Sequence, residues 1–139
     1  MKREELYRDK NLLLEYVTEG NYIHETWWGI TPKEVFLNHL EIILKNLKAK
    51  GASGLLLDTR EHKGLGPESQ KIAAKRIGEY SRSIGGLKEA IIVPQDVFSK
   101  FSVENYTKNM VSDALVSTRF FNNVPEAESW LRAEKETMA

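Results

Sequence analysis

Apolar residues recur along this chain with two different periods, and the switches between them mark its elements. The runs LLLEYV (12–17) and YIHETWW (22–28) are short and β-prone, and they flank TEGN, which carries the turn residues Gly20 and Asn21. That spacing predicts an antiparallel hairpin. From Phe36 the period lengthens. Phe36, Leu40, Ile43, Leu44 and Leu47 form one helical stripe, opened by Thr31-Pro32-Lys33-Glu34 and closed at Gly51. Thr31 is expected to cap this helix, with Glu34 bonding back. SGLLLDT (53–59) has no alternation, as expected of a strand buried on both faces.

A second helical stripe runs through Ala73, Ile77, Tyr80 and Ile84, with Pro67 in its first turn and Gly85-Gly86 at its end. EAIIV (89–93) reads as another buried strand. Asp96 opens a helix or pair of short helices to about residue 113. STRFF (117–121) reads as a fifth strand, and Asn123 with Glu126 caps a last helix carrying Ala127, Trp130 and Leu131. The resulting order is β-β-α-β-α-β-α-β-α. Alternating strands and helices imply crossovers and parallel pairing. The expected fold is α/β: a single domain with a mixed five-stranded sheet, the N-terminal antiparallel hairpin plus parallel strands, flanked by four or five helices. Its core strands would be 53–59, 89–93 and 117–121. Residues 1–11 are charged and aperiodic, so they are expected to be a flexible lead-in to a domain spanning 12–135.

Composition narrows the function classes. Twenty basic residues balance twenty acidic ones, so no excess charge points to nucleic acid. There is no cysteine, which removes disulfides, thiol catalysis and thiolate metal sites. Residues 1–11 lack the apolar core of a signal peptide, and the runs 55–57 and 90–93 are too short to span a bilayer. A cytoplasmic protein without membrane insertion is the expectation.

Motifs of catalysis are not found. No two of His24, His39 and His62 have the spacing that would place a pair of metal ligands on one helix face. Gly64-Leu65-Gly66 lacks the lysine and hydroxyl of a phosphate loop, and no nucleophile elbow occurs. No enzyme activity, metal or cofactor is expected. The best place for a site is the carboxyl edge of the parallel strands. Asp58, Thr59, Arg60, His62, Asp96 and Asn123 would gather there as a polar binding edge, and Asp58, Arg60 and Asp96 would serve an enzyme if there were one. Local turn and cap roles for these aspartates and asparagines are the plainer account. Trp27 and Trp28 are adjacent in a strand and must point to opposite faces. With Phe98 and Phe101, three apart on one helix face, they are candidate interface residues, either for self-association as a homodimer or for another protein; core filling is the plainer account of these aromatics.

Several segments together resemble the STAS-like group, known from sulphate transporters and anti-sigma-factor antagonists. They are the opening hairpin, TWWGIT (26–31), LLLDTRE (55–61), GLGPES (64–69), AIIVPQDVF (90–98) and RFFNNVPEAESWL (119–131). The resemblance covers residues 12 to 132 and implies a non-enzymatic signalling module regulated by protein binding. In anti-sigma-factor antagonists a serine before the second helix is phosphorylated. Counting from Asp58, that position falls on or near Pro67. Ser69 is the nearest hydroxyl and is disfavoured as a phosphosite. The alternative is a small-ligand or lipid-binding domain, since CRAL-TRIO lipid carriers have a related layout; a deep apolar cavity would favour it.

Overall fold

The computed structural model describes residues 2–94 and 115–133. Six strands form one sheet whose spatial order is the order of the chain: β1 (Arg3–Arg8), β2 (Leu12–Val17), β3 (Tyr22–Gly29), β4 (Gly54–His62), β5 (Leu87–Ile92) and β6 (Val116–Phe121). The first three pair antiparallel and the remaining pairs are parallel, so the expected hairpin and mixed sheet are present. Helix α1 (Lys33–Lys50) joins β3 to β4, α2 (Pro67–Ile84) joins β4 to β5, and α3 (Val124–Arg132) follows β6.

Three expectations change. The sheet has six strands, not five, because residues 3–8 of the supposed flexible lead-in form β1. This strand shows no hydrophobic period. Backbone pairing to β2 holds it, together with ion pairs from Arg3 to Glu15 and Glu128 and from Lys50 to Glu4. The strand at 116–121 is a border strand of the described sheet rather than a core one, and its residues alternate in exposure. Three helices, rather than four or five, flank the sheet among the described residues. The helix or helices expected from Asp96 to about 113 lie outside them.

Consecutive parallel strands joined by same-handed crossovers carry their helices to one face. Accordingly α1 and α2 lie together over Leu12, Leu14, Ile23, Trp27 and Leu55. Among the described residues the opposite face receives only α3, whose Ala127 and Leu131 pack on Val17, Tyr22, Leu56, Ala90 and Ile92. β5, central among the parallel strands, is buried at every position, Lys88 and Glu89 included. Lys88 keeps its charge partnered inside: its Nζ donates to the Trp130 carbonyl at 2.5 Å and sits 4.6 Å from the Trp130 ring centroid.

Helix ends follow local chemistry with one exception. Gly51 and Gly85 take the left-handed conformation that closes α1 and α2, a conformation costly for other residues. Asn123 accepts the Glu126 N–H at 3.0 Å and caps α3 as expected. Thr31, however, does not cap α1. The cap position is Pro32, without a side-chain cap bond, and the Thr31 hydroxyl instead meets His62 Nε2 at 3.0 Å.

Candidate functional site

The strand edge does not act as one site, because alternation along β4 divides it. Asp58 turns to the α3 face, where Arg60 grips it through two bonds, Nε–Oδ1 at 2.9 Å and Nη2–Oδ2 at 2.7 Å. Burial pushes the Asp58 carboxyl up, but these bonds outweigh it and hold the group below the usual carboxylate range. Thr59 turns to the other face and donates to the Ile92 carbonyl at 2.8 Å. The β3–β4 register then slips by one residue between Thr26 and Trp28. This bulge brings His62 to the same face as Thr59, although the two differ in parity. Asn123 is occupied at the α3 cap. Asp96, Phe98 and Phe101 lie outside the described residues.

Thr59 and His62 instead line a cavity of about 360 Å³ between the sheet and the two long helices. Phe36 and Leu40 of α1, Ala73 and Ile77 of α2, and Leu57 and Ile91 of the sheet supply most of its apolar wall. The segment Lys63-Gly64-Leu65 also lines it, held by the Gln70 amide, which donates to the Leu65 carbonyl at 2.7 Å. An ion pair between Lys33 and Glu68 links the first turns of α1 and α2. Trp27 is the aromatic centre of the region, with Phe36, His39 and His62 rings at centroid distances of 5.9, 5.5 and 5.3 Å. Burial, with the neighbouring His39 second, lowers the pKa of His62 and favours its neutral ring.

Two carboxyls line this apolar cavity, Glu25 on β3 and Glu89 on β5. Glu25 is 3% exposed and Glu89 fully buried. Glu25 Oε1 accepts the Trp27 indole N–H at 2.9 Å, and Glu89 Oε1 accepts from the Thr118 hydroxyl at 3.2 Å. Burial raises the Glu25 pKa to about 8; the indole bond opposes this and the Glu89 charge adds to it. Sequence reasoning passed over both residues. The available signal was positional: Ile23, Glu25 and Trp27 share one strand face, and Glu89 opens a run of apolar residues.

The α3 face holds a separate polar cluster. Tyr22 donates its hydroxyl to Glu128 at 2.8 Å, and Arg3 pairs with the same carboxylate. Arg3 also meets His24 Nδ1 at 2.9 Å. A guanidinium only donates, so Nδ1 accepts and the His24 proton sits on Nε2. That nitrogen is buried without a hydrogen-bond partner among the described residues. Burial, then the Arg3 charge, lowers the His24 pKa to about 4.

The interface candidates separate as adjacent strand residues must. Trp27 is buried and Trp28 is half-buried. Ser69, in the first turn of α2, is 4% exposed. No helix among the described residues is long and apolar enough to cross a membrane.

No family model matches the chain, and no curated protein matches it by sequence. A solved structure does: a variant of RsbS from Moorella thermoacetica superposes on 87% of this chain and 94% of its own, with a TM-score of 0.61 and 12% identity. RsbS is a STAS-domain anti-sigma-factor antagonist. At that identity the likeness shows the fold, and the fold of this chain is STAS-like.

Proposed function

We propose that this chain is a non-enzymatic regulatory module that works by binding another protein. The observation that supports the reading is the superposition on RsbS over 87% of this chain and 94% of that one. Fold alone does not carry function, so the proposal is an analogy from that neighbour. The carboxyl ends of β3 and β4 are the docking region we favour, with Arg60 and the half-buried Trp28 as its polar and aromatic contacts. A homodimer through Trp28 belongs to the same proposal, as does action in the cytoplasm.

Lysines 33 and 63 flank this region and make crosslinking a direct test. Crosslinking mass spectrometry in the cells of origin should give reproducible links from these lysines to one protein. The links should be lost in the Arg60→Ala, Trp28→Ser double variant. Links scattered over the surface and unchanged in that variant would overturn the proposal.

A second reading, a small-ligand-binding domain, is favoured by the cavity itself. Its volume and apolar wall fall within the range of sites for small molecules. The two readings are compatible if ligand occupancy alters the docking region, because His62 belongs to the cavity and Thr31 ties it to the start of α1.

A further inference from the structure

The wall of the cavity constrains what it can hold. Glu25 lies buried under an apolar roof, and this burial, with the charge of Glu89 on the same wall adding to it, disfavours its ionised form. Glu25 therefore keeps its proton at neutral pH. One of its oxygens already accepts the Trp27 indole N–H. A protonated carboxyl then has its O–H to donate, and a buried donor calls for an acceptor. Among the described residues, the polar groups around it come from several elements. Trp27 shares its strand, Thr59, His62 and Lys63 come from β4 and the residue after it, Glu89 from β5 and Gln70 from α2. From α1 the cavity receives Phe36, Leu40 and Ile43, all apolar.

Ligand classes can be weighed against this wall. An anion would meet two carboxyl groups deep in the cavity. An amine would have to ionise Glu25 and give up its own hydration in an apolar site, a double desolvation that ion pairing repays poorly. An uncharged acceptor meets a ready donor at no such cost. We propose that the cavity binds an uncharged, largely apolar molecule whose carbonyl oxygen accepts a hydrogen bond from the Glu25 carboxyl. This inference rests on the small-ligand reading and adds the chemical class.

Three probes with the same tail and different heads test it: methyl decanoate, decanoate and decylamine. Titrations followed by nitrogen–proton NMR use the Trp27 indole resonance as the reporter, since that N–H bonds to Glu25. Methyl decanoate should shift this resonance and bind about tenfold more tightly than either charged probe at roughly neutral pH. Its affinity should fall as pH rises through about 8, where Glu25 loses the donor proton. The Glu25→Gln variant keeps an N–H donor at all pH values, so it should bind the ester without this pH dependence. The pH series on the unaltered protein decides the matter even if that variant folds poorly. Equal or tighter binding of decanoate or decylamine would overturn the uncharged class while leaving the small-ligand reading in place. Ester binding that ignores pH would overturn the role of Glu25. If none of the three probes moves the Trp27 resonance, the small-ligand reading falls as well.

Discussion

His39 Nε2 meets Asp9 Oδ2 at 2.6 Å, and this contact pins helix α1 to the turn between the first two strands. Tyr7 donates to the same oxygen at 2.5 Å, while the backbone N–H groups of Asn11 and Leu12 donate to Oδ1 at 2.8 and 2.9 Å. One carboxylate thus organises a strand turn and anchors a helix. Burial pushes the Asp9 pKa up, but these bonds outweigh it and bring it down to about 2. The unfolded chain protonates the group near 3.8. Its stabilisation is therefore complete above that value and disappears as pH falls through about 2. Asp9→Ala should cost about 1.5–3 kcal/mol at neutral pH. The difference from the unaltered protein should shrink in strong acid. Urea unfolding at both pH values measures it.

Glu25 and His24, neighbours on opposite faces of β3, bend the pH–stability curve in opposite senses. Folded Glu25 titrates near 8 against an ordinary 4.5, so the folded state holds the extra proton between those values. Its contribution to stability falls as pH rises across that window. Folded His24 titrates near 4 against an ordinary 6.5, so the unfolded state holds the extra proton, and stability rises with pH from 4 to 6.5. The two slopes oppose each other where the windows overlap. Between 6.5 and about 8 Glu25 acts without that opposition, and stability should decline there by at most about 1.4 kcal/mol per pH unit. Chemical denaturation of Glu25→Gln should show a flatter alkaline limb. An unchanged limb would assign the decline to other groups.

The adjacent tryptophans should respond differently to truncation. Trp27→Ala empties a buried site and breaks the indole bond to Glu25, at a cost of about 3–5 kcal/mol. Trp28→Ser should cost under about 1.5 kcal/mol in the monomer. If the proposed dimer exists, sedimentation velocity should show Trp28→Ser shifted toward monomer and still folded. A monomeric unaltered protein at micromolar concentration would remove the dimer from the proposal.

Ser69 should carry no phosphate in cells. Its side chain is buried in the first turn of α2, although a helix start would favour an added anion electrostatically. Phosphoproteomics of the native source provides the measurement, and high occupancy at Ser69 would refute the expectation. Ser69→Glu should destabilise the fold by about 1–3 kcal/mol, because the new charge enters a buried position.

Much of the architecture was legible wherever burial imposed a period. The stripe from Phe36 to Leu47 and the apolar runs at 55–57 and 90–93 announce their elements, since a side chain facing the core must recur with the geometry of its backbone. β1 was not legible because only Leu6 and Tyr7 of its side chains pack against the core, and charge pairing across 125 residues, as from Arg3 to Glu128, leaves no local signature. Thr31 was misread for the same kind of reason: a cap motif describes neighbours in sequence, whereas its hydroxyl answers to His62 across the fold. The polar residues at the β4 end stood out in the sequence by type, yet their grouping depended on strand parity and on a bulge. Glu25 and Glu89 went unread because a carboxyl inside an apolar wall looks, in sequence, like an ordinary solvated residue.

The sheet order β1 to β6 has a consequence for how this chain is made. Each strand leaving the ribosome finds its partner in the one completed just before it, so the sheet can grow by addition at a single border. Such growth keeps loop closures short and limits the time that an unpaired border waits for a distant segment. Helix α3 breaks the sequence, because it turns back across β5 and its Glu128 meets Arg3, the start of β1. That meeting joins the first strand to the last helix. It converts a ribbon assembled step by step into a closed cooperative unit, and it can form only after α3 has been made.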